Sequence, residues 1–125
     1  MNANRNSVGW FELYVQDMER AKHFYENTLQ VTLERLESPV IEMWAFPGQP
    51  DSPGCCGALV RMEGKDSGGG GTIVYFSCDD CAAEASRAQQ HGGEVFRDKM
   101  SIGQYGFIAL VNDTEGNMIG LHSMG

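Results

Sequence analysis

Along Val8–Val15 apolar and polar side chains alternate, placing Phe11, Leu13 and Val15 on one face and Trp10, Glu12 and Tyr14 on the other. That period of two predicts a strand with one greasy and one mixed face. Asp17 follows as an N-cap, and Met18, Ala21, Phe24, Tyr25 and Thr28 recur at helical spacing, predicting an amphipathic helix to about Leu29. Strand-like runs then occupy Val31–Glu37, Val40–Phe46 and Cys56–Met62, separated by Ser38-Pro39 and by the turn Pro47–Gly54. The alternation does not decide whether Trp44 and Phe46 or Met43 and Ala45 share the mixed face.

A glycine run, Ser67–Gly71, breaks the pattern; it lacks the Gly-Lys-Ser/Thr ending of a phosphate loop and reads as a flexible linker. After it the order repeats. Thr72–Cys78 is a strand, Asp79 or Asp80 caps a helix running to His91, and Gly92-Gly93 supplies a left-handed stop. Strands are expected at Glu94–Lys99, Tyr105–Val111 and Asn117–Ser123, the last two joined by the turn Asn112–Asn117. The chain therefore reads as α+β, with two tandem βαβββ units (about 7–63 and 72–124, linker 64–71) forming a curled mixed sheet around a cleft, in one domain over 1–125. Aligning Asp17-Met18 with Asp80-Cys81 gives an offset of 63, which pairs Trp10 with Ile73, Glu12 with Tyr75 and Gly57 with Gly120.

Composition narrows the function classes. Nine Lys+Arg against 17 Asp+Glu leave a net charge of −8, the wrong sign for a phosphate backbone or an anionic membrane. No apolar run approaches the ~20 residues of a membrane-spanning helix. The start Met1–Asn6 lacks the apolar stretch of a secretory signal, so a cytoplasmic location is expected. Of the four cysteines, the adjacent Cys55 and Cys56 do not aim two sulfurs at one zinc ion. Cys78-Asp79-Asp80-Cys81 has the spacing of a redox pair, but two carboxylates oppose a thiolate there, and the plainer reading is two small apolar residues at a strand end and a first helical turn. His23 and His91 read as structural.

The residues Val15-Gln16-Asp17-Met18-Glu19-Arg20-Ala21-Lys22-His23-Phe24-Tyr25, together with Tyr105–Leu121 and its Asp113-Thr114-Glu115-Gly116-Asn117 turn, make the chain resemble the vicinal oxygen chelate superfamily. That superfamily includes glyoxalase I, bleomycin-resistance proteins, extradiol dioxygenases and fosfomycin-resistance transferases. The resemblance implies a small-molecule cleft, a homodimer and, in the enzymes, a divalent metal held near the start of each unit's first strand and on its last. Here those positions fall on Trp10, Gly57, Ile73 and Gly120, none of which carries a metal-ligating side chain. No metal or other cofactor is therefore expected, a displaced divalent ion being the alternative.

Alternation assigns the cleft face Trp10, Glu12, Tyr14, Leu59, Arg61, Tyr75, Ser77, His122 and Met124, with Glu12 and His122 as a candidate proton-transfer pair. Each has a plainer role: Glu12 in an ion pair with Arg61 or facing solvent at the cleft mouth, His122 as a satisfied or exposed histidine, Arg61 at the surface, the aromatics as packing. Two functions follow as expectations. One is metal-free binding of a small molecule; the other is a lyase, isomerase or dioxygenase-like enzyme using Glu12 and His122, with or without a displaced metal. A regulatory module with no ligand is a third.

Overall fold

The computed structural model describes residues 5–52, 54–115 and 117–125. Pro53 and Gly116, both expected in turns, and residues 1–4, which belong to the segment read as lacking a secretory signal, lie outside the described residues. The element order is β1 (Val8–Tyr14), α1 (Met18–Leu29), β2 (Glu34–Leu36), β3 (Glu42–Ala45), β4 (Cys56–Arg61), then β5 (Thr72–Ser77), α2 (Cys81–Gln90), β6 (Glu94–Ser101), β7 (Phe107–Asn112) and β8 (Met118–Ser123). This is the twice-repeated βαβββ order of an α+β fold. No helix among the described residues is long and apolar enough to cross a membrane.

Two units are distinguished: Trp10–Thr72, and the described residues up to Gly9 with Ile73–Gly125. In the first, the strands lie in the order β2-β3-β4-β1, antiparallel except for the parallel β4/β1 pair. Asp17 accepts the Arg20 amide at 3.1 Å, capping α1 as its position before the amphipathic run requires. α1 buries Met18 with Leu33 and Leu59, and Leu13, Val15, Ala21, Tyr25, Trp44 and Phe46 pack around them. Trp44 and Phe46 therefore belong to the helix-facing side, where Lys22 Nζ lies 3.4 Å above the Trp44 ring. β2 starts later than expected because the Leu33 amide is held by the Glu26 carboxylate at 2.9 Å.

The second unit has the order β5-β8-β7-β6, again with one parallel pair, β5/β8. Asp80 caps α2 through the Ala82 amide, and the buried Ser123 hydroxyl accepts the Cys81 amide at 3.0 Å. Gly92, at φ +99°, ends the helix as its position predicts. Cys78 and Cys81 are buried with Ala85, Ala109, Val111 and Leu121 in an apolar cluster, the placement of small core residues. The Cys78 thiol is pushed up first by burial and then by Glu84, rather than by the two carboxylates beside it in sequence. Tyr105, expected to open β7, instead ends a 3₁₀ turn, Gly103–Tyr105.

Candidate functional site

The strand period brings Trp10, Glu12 and Tyr14 to one face of β1, and they meet there. The Tyr14 hydroxyl donates to Glu12 Oε1 at 2.8 Å and the Trp10 indole N–H donates to Glu12 Oε2 at 3.2 Å. Glu12 and Tyr14 are each 8 % exposed. Burial, then the Glu12 charge, then the hydrogen bond to it hold the Tyr14 phenol far above its ordinary value, so it stays a neutral donor. Lys65 Nζ stands 5.5 Å from the Tyr14 ring centroid, within cation–π reach.

The parallel register sets Trp10 beside Cys56, Glu12 beside Ala58 and Tyr14 beside Val60, and the β3/β4 register adds Met43 and Ala45 to the same face. Ala58 and Val60 are fully buried. The carboxylate thus sits in a small, closed apolar setting with two aromatic donors on its oxygens. A buried carboxylate kept in place by hydrogen bonds accepts cations and N–H or O–H donors, and it takes up a proton when a suitable acid is offered.

Leu59 and Arg61, expected on this face, stand on the other. Leu59 pairs with Leu13 and is fully buried under α1, while Arg61 is exposed and donates Nε–H to the Gln16 carbonyl at 3.2 Å. The Glu12–Arg61 pair considered above does not form. The physical reason is register: Cys56–Val60 is apolar on both faces, so alternation alone cannot orient it, and a slip of one residue exchanges the faces. The same slip moves Gly57 to the helix-facing side, opposite Phe11, and leaves Ala58 beside Glu12.

In the second unit Tyr75 pairs with Gly120 and Ser77 with His122, on the face turned away from the Phe76, Cys78 and Leu121 cluster. His122 Nε2 is 2.5 Å from the Tyr105 carbonyl, an N–H donor contact that fixes the ring. Met124 follows β8, 67 % exposed, with its sulfur near Gly106. The two candidate proton-transfer residues thus belong to different units, Glu12 bound by aromatic donors and His122 by a backbone carbonyl.

A divalent metal of the kind the resemblance implies needs three or four donors. The four positions assigned to ligands carry none, Ala58 adds none, and among the described residues no three His, Cys, Asp or Glu side chains gather. This donor set does not fit the ion.

Sequence reasoning also missed a cavity of about 530 Å³ within the first unit, between α1 and the glycine segment. That segment, read as a flexible linker, is a turn in which the Gly71 amide donates to the Gly68 carbonyl at 2.8 Å, while the Gly71 carbonyl accepts the Tyr14 amide at 2.7 Å. The helical spacing of Asp17, Arg20, Ala21 and Phe24 was the available signal for the opposite wall.

The model for the Glyoxalase/Bleomycin resistance protein/Dioxygenase superfamily matches residues 7–121. No curated protein gives a significant match. Among solved structures, methylmalonyl-CoA epimerase from Mycobacterium tuberculosis is similar at 15 % identity and TM-score 0.68, over 100 % of this chain and 93 % of that one. A hypothetical protein from Bacillus halodurans C-125 is similar at 10 % identity and TM-score 0.71, over 94 % of each chain. Streptomyces coelicolor methylmalonyl-CoA epimerase, in complex with 2-nitronate-propionyl-CoA, is similar at 13 % identity and TM-score 0.66, over 96 % and 98 %. At these identities the structures share the fold, and the family match spans nearly the whole sequence: the chain belongs to the Glyoxalase/Bleomycin resistance protein/Dioxygenase superfamily.

Proposed function

We propose that the chain binds a small molecule at the mixed face of β1, with Glu12 as the central acceptor, Trp10 and Tyr14 as its aromatic flanks, and no metal in the contact. The observation that carries this reading is the buried Glu12 carboxylate held by two aromatic donors at 2.8 and 3.2 Å. An ionised group in an apolar strand face is costly to keep, and two paired donors hold it in one geometry. The ligand class follows from the acceptor: a cation or a neutral N–H or O–H donor, in keeping with the net charge of −8. Because Glu12 is closed off in the free chain, the ligand enters by replacing the longer of the two aromatic bonds, that from Trp10.

A thermal-shift screen of amines and neutral hydrogen-bond donors tests this, since a ligand specific for the folded state at 100-fold its Kd adds about 2.7 kcal/mol of stability. The expected result is a set of stabilising compounds whose effect falls away in Glu12→Gln. A screen in which no compound acts, or acts equally on that variant, overturns the reading.

The likeness to two methylmalonyl-CoA epimerases favours one second reading, an isomerase in which Glu12 takes a proton from carbon beside a carbonyl on one face and a second acid or solvent delivers a proton to the opposite face. Deuterium uptake by methylmalonyl-CoA in heavy water, abolished by Glu12→Gln, supports it; no uptake above the enzyme-free rate removes it. Separate substitution of His122 by Ala measures whether that residue takes part.

A further inference from the structure

The 530 Å³ cavity of the first unit shares Tyr14 with the β1 site but does not have Glu12 in its lining, and it has its own chemistry. Its volume falls within the range of small-molecule sites. Asp17, the N-cap, and Arg20, Ala21 and Phe24 of α1 line one wall, at spacings of three and four from Asp17 to Phe24, and Ser67 and Gly68 of the glycine turn line the facing wall. Tyr25 closes one side, its ring edge-on to Phe24 at a centroid distance of 5.0 Å and to Phe46 at 5.7 Å.

Three features of this lining bear on what it holds. Asp17 and Arg20 carry opposite charges three residues apart, yet no ion pair joins them, and neither has another charged partner among the described residues. Asp17 uses Oδ1 for the Arg20 amide, so the other carboxylate oxygen is not taken by the cap. Phe24 is 58 % exposed at the cavity, where its ring offers an uncovered apolar surface beside those charges. The lining is therefore neutral in sum, with a cation, an anion and an aromatic face in one hollow.

We infer that this cavity is a binding site for a zwitterionic small molecule with an apolar or aromatic group, the chemistry of a hydrophobic α-amino acid. Its carboxylate pairs with the Arg20 guanidinium, its ammonium with Asp17, and its side chain covers Phe24. A carboxylate alone leaves Asp17 facing a second anion, and an amine alone leaves Arg20 facing a second cation. The site selects the molecule that carries both.

The test is calorimetric titration of the intact chain with L-phenylalanine, phenylacetate and phenethylamine as probes. L-Phenylalanine is expected to bind saturably at one site per chain, with each single-charge probe about 10- to 100-fold weaker, the value of one charged hydrogen-bond contact. Arg20→Gln and Asp17→Asn are each expected to weaken L-phenylalanine by the same factor. Asparagine still caps a helix and Arg20 is exposed, so both variants keep the fold. Absence of saturable binding up to about 10 mM, binding untouched by either charge substitution, or phenylacetate or phenethylamine binding as tightly as L-phenylalanine overturns the inference.

Discussion

The two βαβββ units solve the same packing problem and differ in what their first strands carry. In each, a parallel pair joins the first and last strands of the unit, and an aromatic ring lies over a glycine directly across that pair: Phe11 over Gly57, Tyr75 over Gly120. The rings lie on opposite faces, however. Phe11 is on the side covered by α1, whereas Tyr75 is on the side turned away from the Phe76 and Leu121 cluster that packs against α2. Leu13 pairs with Leu59, a separation of 59 − 13 = 46, and Phe76 with Leu121, a separation of 121 − 76 = 45. One residue fewer in the second unit changes which face the glycine serves. The first unit thereby keeps the face turned away from α1 for Glu12 and its two aromatic donors, while the second fills the corresponding position with Tyr75.

The sharpest way to break this comparison is to fill the two glycines. A Cβ at Gly57 would lie 2.3 Å from the Phe11 ring and one at Gly120 would lie 2.2 Å from the Tyr75 ring. Gly57→Ala and Gly120→Ala are each expected to lose about 3 kcal/mol in urea unfolding, at the upper end for overpacked cores. Equal losses support the common device; an unaffected midpoint in either variant removes that unit from it.

Next in size is Glu12→Ala, which withdraws the acceptor from the buried Tyr14 hydroxyl and is expected to cost about 2 kcal/mol by the same measurement. Glu12→Gln retains an acceptor and is expected to cost less. A Glu12→Ala chain as stable as the original would mean that the carboxylate is strained rather than held.

Helix starts give a smaller contrast. α2 has the Ser123 hydroxyl on the Cys81 amide in addition to its Asp80 cap, whereas α1 depends on Asp17. Ser123→Ala, which leaves the Cys81 amide without its partner, is expected to cost about 1.5 kcal/mol, and Asp17→Ala about 1 kcal/mol. Amide hydrogen exchange locates the effect, with each loss confined to the first turn of its own helix.

The smallest effects are those of pH, and they separate the units by direction. Tyr14 has a raised folded-state pKa, so its contribution is complete below the ordinary phenol value of 10.0 and is lost as pH rises through the folded value. Tyr14→Phe is expected to flatten the alkaline limb of the stability curve. Asp80, held below the usual carboxylate range by its bond to Lys99 and by the Ala82 amide, contributes above the unfolded carboxylate pKa and loses that contribution as pH falls through its folded value. Asp80→Asn is expected to flatten the acid limb alone. Urea midpoints measured across pH check both.

Much of this architecture was legible in the sequence because the signals were local. Asp17 and Asp80 stand immediately before amphipathic runs, and the Trp10–Glu12–Tyr14 face follows from strict alternation in β1. The orientation of β4 was not legible, since Gly57, Ala58, Leu59 and Val60 are all buried and carry no polar mark to choose a face. Only pairing with β1 fixes it, and pairing is a long-range fact. The same limit hid the cavity beside α1, one wall of which is a glycine turn whose place is set by the Tyr14 amide bonding to the Gly71 carbonyl.

The claim that Glu12 and its donors form the ligand face is tested most directly through Trp10. With Trp44→Phe, Trp10 is the one indole left in the chain. A compound selected by thermal shift is titrated into that variant while indole emission is followed. A ligand that takes the place of the Trp10 bond on Glu12 is expected to give a saturable change in emission at the concentration that stabilises the fold, abolished by Glu12→Gln. Stabilisation with unchanged Trp10 emission would contradict the account, because the ligand would then sit elsewhere.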